Sequence, residues 1–458
     1  MEIFIRKWSE ISGGRFDADF YRQDYRIIDE FFKHQDFKTI KEIVEPIKNG
    51  STPSNGKFEK MGVPYFRSQD LSLYDSIPSL FITESFHNSI ARSKVMPNDV
   101  LVAVVGATLD VIGFVSKNLL EANINQNIAK LRVIDNEIKA KFLAIFLDSQ
   151  FGKKQIFRQA TITTQAYLNN SQLEAVKIPV LSKEIQQHII DIMDNAYVEK
   201  RRKEGEAQEI LDSIDDFLLS ELGISLPPKA TSDLQSRIFF VKLSEISGTR
   251  FDPEYHQHYY TALQTAIHQG KYEVAKIRDI AFINQQLESM EKYDFINYID
   301  LSCVEKENGI IKDTILIDKD FPSRARQRVH KGDLLVSTLS GSMKAIALVS
   351  EYKENLIAST GFFVISKVKQ NLSKDFLISM LRTDLFQTLL KREASGSIMS
   401  SINYDDFLNV KIPLPPLSVQ ESIAKEISRR KNNALQLQQE AKSILYSAKS
   451  KIEQIILG

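Results

Sequence analysis

Hydrophobic and polar positions along this chain fall into two patterns, and each occurs twice. Short β-branched runs such as Asp99-Val-Leu-Val-Ala-Val-Val and Asp333-Leu-Leu-Val-Ser-Thr-Leu predict buried strands. Lys139 to Phe157 and Lys374 to Arg392 carry apolar residues at helical spacing. Strands and helices mix here without regular βαβ alternation, which predicts an α+β fold. The second pattern is longer. From Glu184 to Leu222 the apolar residues Ile185, Ile189, Ile192, Ala196, Leu211, Ile214, Leu218 and Leu222 recur at three, four or seven, except across a polar middle. From Gln420 to Ile456 the series is Ile423, Ile427, Ala434, Leu437, Ala441, Leu445, Ala448, Ile452 and Ile455.

Neither long segment contains proline, and each would run about 55–58 Å as a helix. Each has one apolar face and therefore needs a partner. Residues 184–222 hold 11 acidic and 4 basic side chains, whereas residues 420–456 hold 4 and 7. Opposed charge and matched length predict that the two helices pack on each other. Ile185, Ile189, Leu211 and Leu218 are the expected contact residues of the first, and Ile423, Ile427, Leu437 and Leu445 those of the second.

The doubling extends to the whole chain. Ser9-Glu-Ile-Ser12 recurs as Ser244-Glu-Ile-Ser247, and Arg15-Phe-Asp17 as Arg250-Phe-Asp252, at an offset of 235. From Val95 to Ile189 the halves align without a gap at an offset of 234, with Val176-Lys-Ile-Pro179 matching Val410-Lys-Ile-Pro413 and Gln186 matching Gln420. So long a period means duplicated domains and not a solenoid. Gly223-Ile-Ser-Leu-Pro-Pro228 stops the first long helix and opens a linker, and the second copy restarts near Val241.

Composition narrows the functional classes. With 458 residues, two or more cores are expected. No apolar run approaches the roughly 20 residues of a membrane span, so no membrane partner is expected. The single cysteine, Cys303, excludes a disulfide framework or a CxxC knuckle and suits a reducing cytoplasm. Catalytic motifs are missing too. Neither Pro-Pro pair sits in an Asn/Asp-Pro-Pro-Tyr motif, and Gly50 to Lys57 fails as a phosphate loop because Pro53 interrupts it and Phe58 replaces Ser/Thr. His256 and His258 lack a third ligand. No enzyme activity, cofactor or metal is expected.

The doubled order of Arg-Phe-Asp entry segments, Asp-x-Leu-Val strands, Asn169 and Asn403 leading to Ile-Pro, and the Ile-Pro-to-Gln helix starts resembles the specificity subunit of type I restriction–modification systems, or of related type II systems. The resemblance implies two target recognition domains that each read half of a bipartite duplex DNA site. It also implies an antiparallel coiled coil that spaces them and docks methyltransferase subunits, two of them, with restriction subunits in some complexes. On that pattern residues 1–36 are an entry segment, 37–183 the first recognition domain and 184–223 the central helix. Residues 224–271 are linker and second entry segment, 272–419 the second recognition domain and 420–458 the terminal helix. One departure is the longer entry segment ahead of each domain, Arg15 to Lys33 and Arg250 to Gly270.

DNA demands cations for phosphates and fork-shaped or amide groups for base edges. Overall charge is no guide, with 59 basic and 59 acidic residues. Locally, residues 37–183 hold 18 basic and 13 acidic side chains, and residues 272–419 hold 19 of each. Within the latter, Arg324, Arg326, Arg328 and Lys331 nearly alternate, which in a strand puts the three arginines on one face. A strand edge kept soluble by charge accounts for the same stripe. Lys344 sits in a small-residue loop where its first-half equivalent is Asp110. In the first half Arg67 and Gln69 are the base-edge candidates, with Arg92 and Lys94 behind them on phosphate; a salt bridge from Arg67 to a neighbouring acid is the plainer reading. The polar stretches Arg158–Gln165 and Arg392–Ser400 face DNA or cap the next helix, with capping favoured for Asn169 and Asn403. An interaction scaffold without a nucleic-acid role is the rival reading of the whole chain.

Overall fold

The computed structural model describes residues 18–457 apart from 54–57, 75, 120, 162–164, 229–237, 247–249, 254, 307 and 396–399. The first-half repeat marks at Ser9–Ser12 and Arg15–Asp17 lie outside the described residues, as do parts of the loop at Gly50, the linker and both polar stretches. The chain divides into two compact units, residues 1–204 with 439–458, and residues 205–438.

The first unit holds a four-stranded antiparallel sheet in the order Lys48–Asn49, Ile128–Leu131, Val100–Ala103, Ile112–Phe114. Val100–Ala103 is buried at every position, which is why it reads as an unbroken apolar run. Its two faces serve different cores. Val100 and Val102 join Phe142, Phe146 and Leu147 of the helix Ala140–Asp148. Leu101 and Ala103 join Phe66 and Ile124 of a three-stranded sheet ordered Leu80–Ile82, Val63–Phe66, Asn123–Ile124, whose last pair is parallel.

The second unit repeats this plan. Its first sheet runs Ala281–Asn284, Phe362–Val368, Leu334–Ser337, Ile346–Leu348. Leu334 and Val336 face the helical core with Phe376 and Phe386, while Leu335 faces Ile299 and Cys303. The second sheet runs Ile315–Ile317, Ile296–Ile299, Leu356–Ser359, Ala325–Arg328, and again contains one parallel pair. It has one strand more than its counterpart. Cys303 is buried in a short turn, Leu301–Cys303.

The long helices span Lys183–Leu222 and Leu417–Leu457, the second starting three residues before the expected Gln420. In the first unit Ile189, Ile190 and Met193 of one share a core with Ile452 and Ile456 of the other. In the second, Leu218, Leu219 and Leu222 share a core with Ile423 and Ile427. Early residues of one helix thus meet late residues of the other in each unit, so the pairing is antiparallel. Lys203 and Glu440 cross it at 2.5 Å. Leu211, Leu437 and Leu445 are half-buried. Ile185 is 40% exposed and stands outside the seam, because the inward position of this first turn is taken by its buried neighbour Gln186.

Both ends of the first helix are fixed by identifiable residues. At its C-terminus Gly223, with φ +66, lets the Ile224 N–H reach the Leu219 carbonyl (2.9 Å) and the Gly223 N–H reach that of Ser220 (3.1 Å). These two bonds close the helix as a Schellman motif, which needs glycine at that left-handed position. At the start, the strand Lys177–Pro179 pairs with Phe37–Thr39, as Lys411–Pro413 pairs with Val274–Lys276. The buried Gln186 then donates to the carbonyls of Glu137 (2.7 Å) and Leu181 (2.9 Å) and accepts from the Lys139 N–H (2.8 Å). Gln420 makes the equivalent set with Asn371 (2.9 Å), Pro415 (2.8 Å) and the Ser373 N–H (2.9 Å).

Replacing Gln420 or Gln186 by leucine strands two carbonyls and one N–H in a buried setting. We expect each variant to lose about 2–4 kcal/mol of unfolding free energy, read as a lowered urea midpoint.

Candidate nucleic-acid interface

The arginine stripe forms a real face. The strand Ala325–Arg328 is the edge of its sheet, paired on one side with Leu356–Ser359. Ala325, Gln327 and Val329 are buried, whereas Arg324 and Arg328 are exposed and Arg326 is half-buried between them. Gln327 is tolerated inside because its amide donates to the carbonyls of Ser359 (3.0 Å) and Phe362 (2.8 Å). Arg326 is partly spent on the protein, since its Nε donates to the Glu288 carbonyl at 2.9 Å. Glu288, held well below the usual carboxylate range chiefly by its hydrogen bond to Lys292, also lies within the electrostatic reach of Arg328. At the repeat-equivalent place the first unit has a short turn, Ala91–Ser93, and no strand.

The first-unit candidates divide. Arg67 follows the strand Val63–Phe66 and opens the turn Ser68–Asp70. Its backbone N–H donates to Asp70 (2.8 Å), its guanidinium donates to Ser79 (2.7 Å), and its Nε, 3.6 Å from Asp70, has no hydrogen-bond partner among the described residues. Gln69 is exposed in the turn Ser68–Asp70 beside it. Arg92 is exposed in the turn Ala91–Ser93. Lys94 is half-buried, donating to Asn88 at 3.0 Å and lying 3.8 Å from Glu121. These turns are themselves anchored from inside, because Lys130 donates to the Lys94 carbonyl at 2.9 Å and Arg132 forks onto Asp99 at 2.8 and 2.7 Å.

Lys344 has different company. It follows the turn Ser340–Ser342 and places its ammonium 3.6 Å from Asp384, in a cavity lined also by Asp215 of the first long helix and Arg382. Its surroundings are helical, unlike those of the arginine strand.

Two further arginines have a role that sequence reasoning missed. Arg158 donates to the Phe20 carbonyl (3.0 Å), pairs with Asp29 (2.5 Å) and lies over the Phe20 ring, 4.4 Å from its centre. Arg392 donates to the Tyr255 carbonyl (3.0 Å) and lies over that ring at 4.1 Å. Phe20 and Tyr255 sit at the same repeat offset, which was the signal available. The polar stretches therefore begin by pinning each entry segment to its unit. They end in caps, with Asn169 accepting the Gln172 N–H and Asn403 the Asp406 N–H, both at 2.9 Å.

Among the described residues no group of three or more His, Cys, Asp or Glu side chains is placed to hold a metal ion, and no helix is long and apolar enough to cross a membrane. His256 Nε2 bonds the Arg250 carbonyl. Gly50 is pressed against the Ile124 carbonyl so closely that a Cβ there would lie 1.8 Å from its oxygen, so this loop is a packing feature at its start.

A family model for the type I restriction modification DNA specificity domain matches residues 33–211 and again 269–445. The chain belongs to this family. Two proteins of Methanocaldococcus jannaschii, named as specificity subunits of the type I restriction enzymes MjaX and MjaVIII, are each 22% identical to it. They align over 94% of this chain and over 98% and 97% of their own lengths. A chain from a solved structure of a type I R-M system covers 92% of this chain and 96% of its own, with TM-score 0.53 and 14% identity, which establishes likeness of fold.

Near the second entry segment, burial pushes the Glu393 carboxyl up to about 7, with Asp406 and Asp252 raising it further and Arg392 and Arg250 opposing. The folded state then holds this proton up to about pH 7, whereas the unfolded chain releases it near the ordinary value of 4.5. Stability should therefore fall as pH rises from 4.5 to 7, with the full penalty above 7. Glu393→Gln is expected to gain about 1–3 kcal/mol at pH 8 and little at pH 4, measured as the difference in urea midpoints.

Proposed function

We propose that this chain is the non-catalytic DNA sequence-specificity subunit of a restriction–modification complex in the cytoplasm. It reads an asymmetric bipartite site on duplex DNA through residues 37–183 and 272–419. Two adenine methyltransferase subunits dock on it, and restriction subunits join in complexes that cleave. Family membership supports the DNA-recognition part of this reading. One observation supports the asymmetry: the two units share a sheet plan, but among the described residues the second adds an edge strand, Ala325–Arg328, that bears Arg326 and Arg328 with Arg324 just ahead of it. Unequal edges on equal scaffolds are what two different half-sites call for.

The test is filter retention of target DNA by the chain assembled with its methyltransferase. Arg324→Ala with Arg328→Ala removes the two exposed arginines and spares Arg326, which helps hold Glu288. Retention should weaken about tenfold or more, and the slope of log affinity against log salt should fall by about 2, with assembly unchanged. Normal retention would remove the stripe from the interface.

The long helices are proposed to set the unread gap between half-sites. Inserting one heptad at matched points of both adds about 10 Å, or about three base pairs at 3.4 Å each. Methylome sequencing should report a modified motif with a longer gap. An unchanged gap in an active complex would end the spacing role.

A further inference from the structure

The duplication allows one set of contacts to be compared with its own counterpart. In the first unit the helices Ala140–Asp148 and Gln150–Gln159 dock on the end of the second long helix. Lys449 reaches Asp148 at 2.7 Å, and Lys153 bridges Asp148 (3.3 Å) and Asp110 (3.5 Å). Glu453 accepts the Gln150 N–H at 3.0 Å. Asp148 is only 14% exposed, and Lys449 also favours the charged form of Asp110 against the burial that raises its pKa.

At the offset of 234, Asp110 becomes Lys344, Asp148 becomes Arg382, and the helix position of Lys449 corresponds to Asp215. All three signs reverse. In the second unit Asp215, Lys344 and Arg382 line one cavity of about 670 Å³ with Asp384 and Lys431. Asp215 accepts the Asp384 N–H at 2.7 Å, and Lys344 favours its ionised form against burial. Asp384 is a carboxylate on the domain side, but it is 78% exposed and answered by Lys344. At these three positions the first unit thus opposes two aspartates on the domain to a lysine on the helix, and the second a lysine and an arginine on the domain to an aspartate on the helix.

We propose that this exchange of sign makes each globular domain accept the helix segment supplied by the other repeat and repel the equivalent segment of its own. A second copy of the chain then cannot substitute one of its repeats for the matching half, and the two unequal units stay together. A first-repeat domain offered a first-repeat helix would set Asp148 and Asp110 against an aspartate, in a part-buried place where like charges are costly. The proposal rests on the duplication and not on DNA reading, so either can fail without the other.

Single substitutions in the full chain reproduce the mismatched contact. Lys449→Asp places first-repeat charge opposite the first-repeat domain, and Lys449→Met removes the pair without repulsion. Asp215→Lys and Asp215→Asn do the same for the second unit. Amide hydrogen exchange over residues 140–159 and 374–392 reads the docking. Exchange should rise on the order of tenfold more in Lys449→Asp than in Lys449→Met. It should drop back when Asp148→Asn is added, and the excess should shrink with salt. Asp215→Lys should likewise exceed Asp215→Asn. Equal effects of the neutral and reversed variants would mean a packing role alone and overturn the proposal, as would a reversed variant that exchanges like the unaltered chain.

Discussion

A forty-residue helix with an apolar face towards each of its ends cannot stand alone in water, and that requirement organises both units. Ile189, Ile190 and Met193 enter the same core as Val100, Phe142 and Phe146, and Ile452 and Ile456 enter it from the other helix. Each such side chain contributes roughly 1.5–3 kcal/mol on burial, whereas a crossing pair such as Lys203–Glu440 contributes about 0–1 kcal/mol where solvent screens it. Burial therefore holds the helices to the domains, and charge serves to choose partner and direction. The buried glutamines fix where each helix begins. Their hydrogen bonds tie the first turn to the loop ahead of the core helices, so the start of each long helix is fixed to the globular part of its own unit.

What the residues reveal by themselves depends on how local the governing interaction is. Val100–Ala103 and Leu334–Ser337 were legible because continuous burial leaves a continuous apolar run. The arginine face was legible because strand alternation is a two-residue property. The clamp of Gln186 was visible as a repeated letter but not as a mechanism, since its partners Glu137 and Lys139 are backbone groups 49 and 47 residues away. Arg158 was read as part of a loop because its aromatic partner Phe20 lies 138 residues earlier. Ile185 shows the opposite error. Helical spacing assigned it to the seam, but the inward position of that turn belongs to the buried Gln186.

Net charge says little about where a neutral chain meets an anionic partner, because arginines here do two kinds of work. Arg132, Arg158, Arg250, Arg382, Arg392 and Arg430 donate to carbonyls, carboxylates or a hydroxyl within their own units. Their charge is largely consumed in holding turns, entry segments and helices in place. Arg92, Arg324 and Arg328 are exposed at turns and a sheet edge. An electrostatic footprint is set by the second group, and a count over any stretch of sequence mixes both.

The added edge strand of the second repeat follows from the same economy. A sheet edge can gain a strand without repacking the layers beneath it, provided the inward side chains are small or satisfied. Ala325 is small, and Gln327 has its amide fully engaged by two carbonyls of the neighbouring segment. Of the outward side chains, Arg326 bonds the Glu288 carbonyl, while Arg328, and Arg324 just ahead of the strand, stay exposed. Moving the same charges to Val100–Ala103 would bury them on both faces, at a cost of several kcal/mol per ion. A duplicated domain can therefore acquire different charge at a sheet edge while its centre stays fixed.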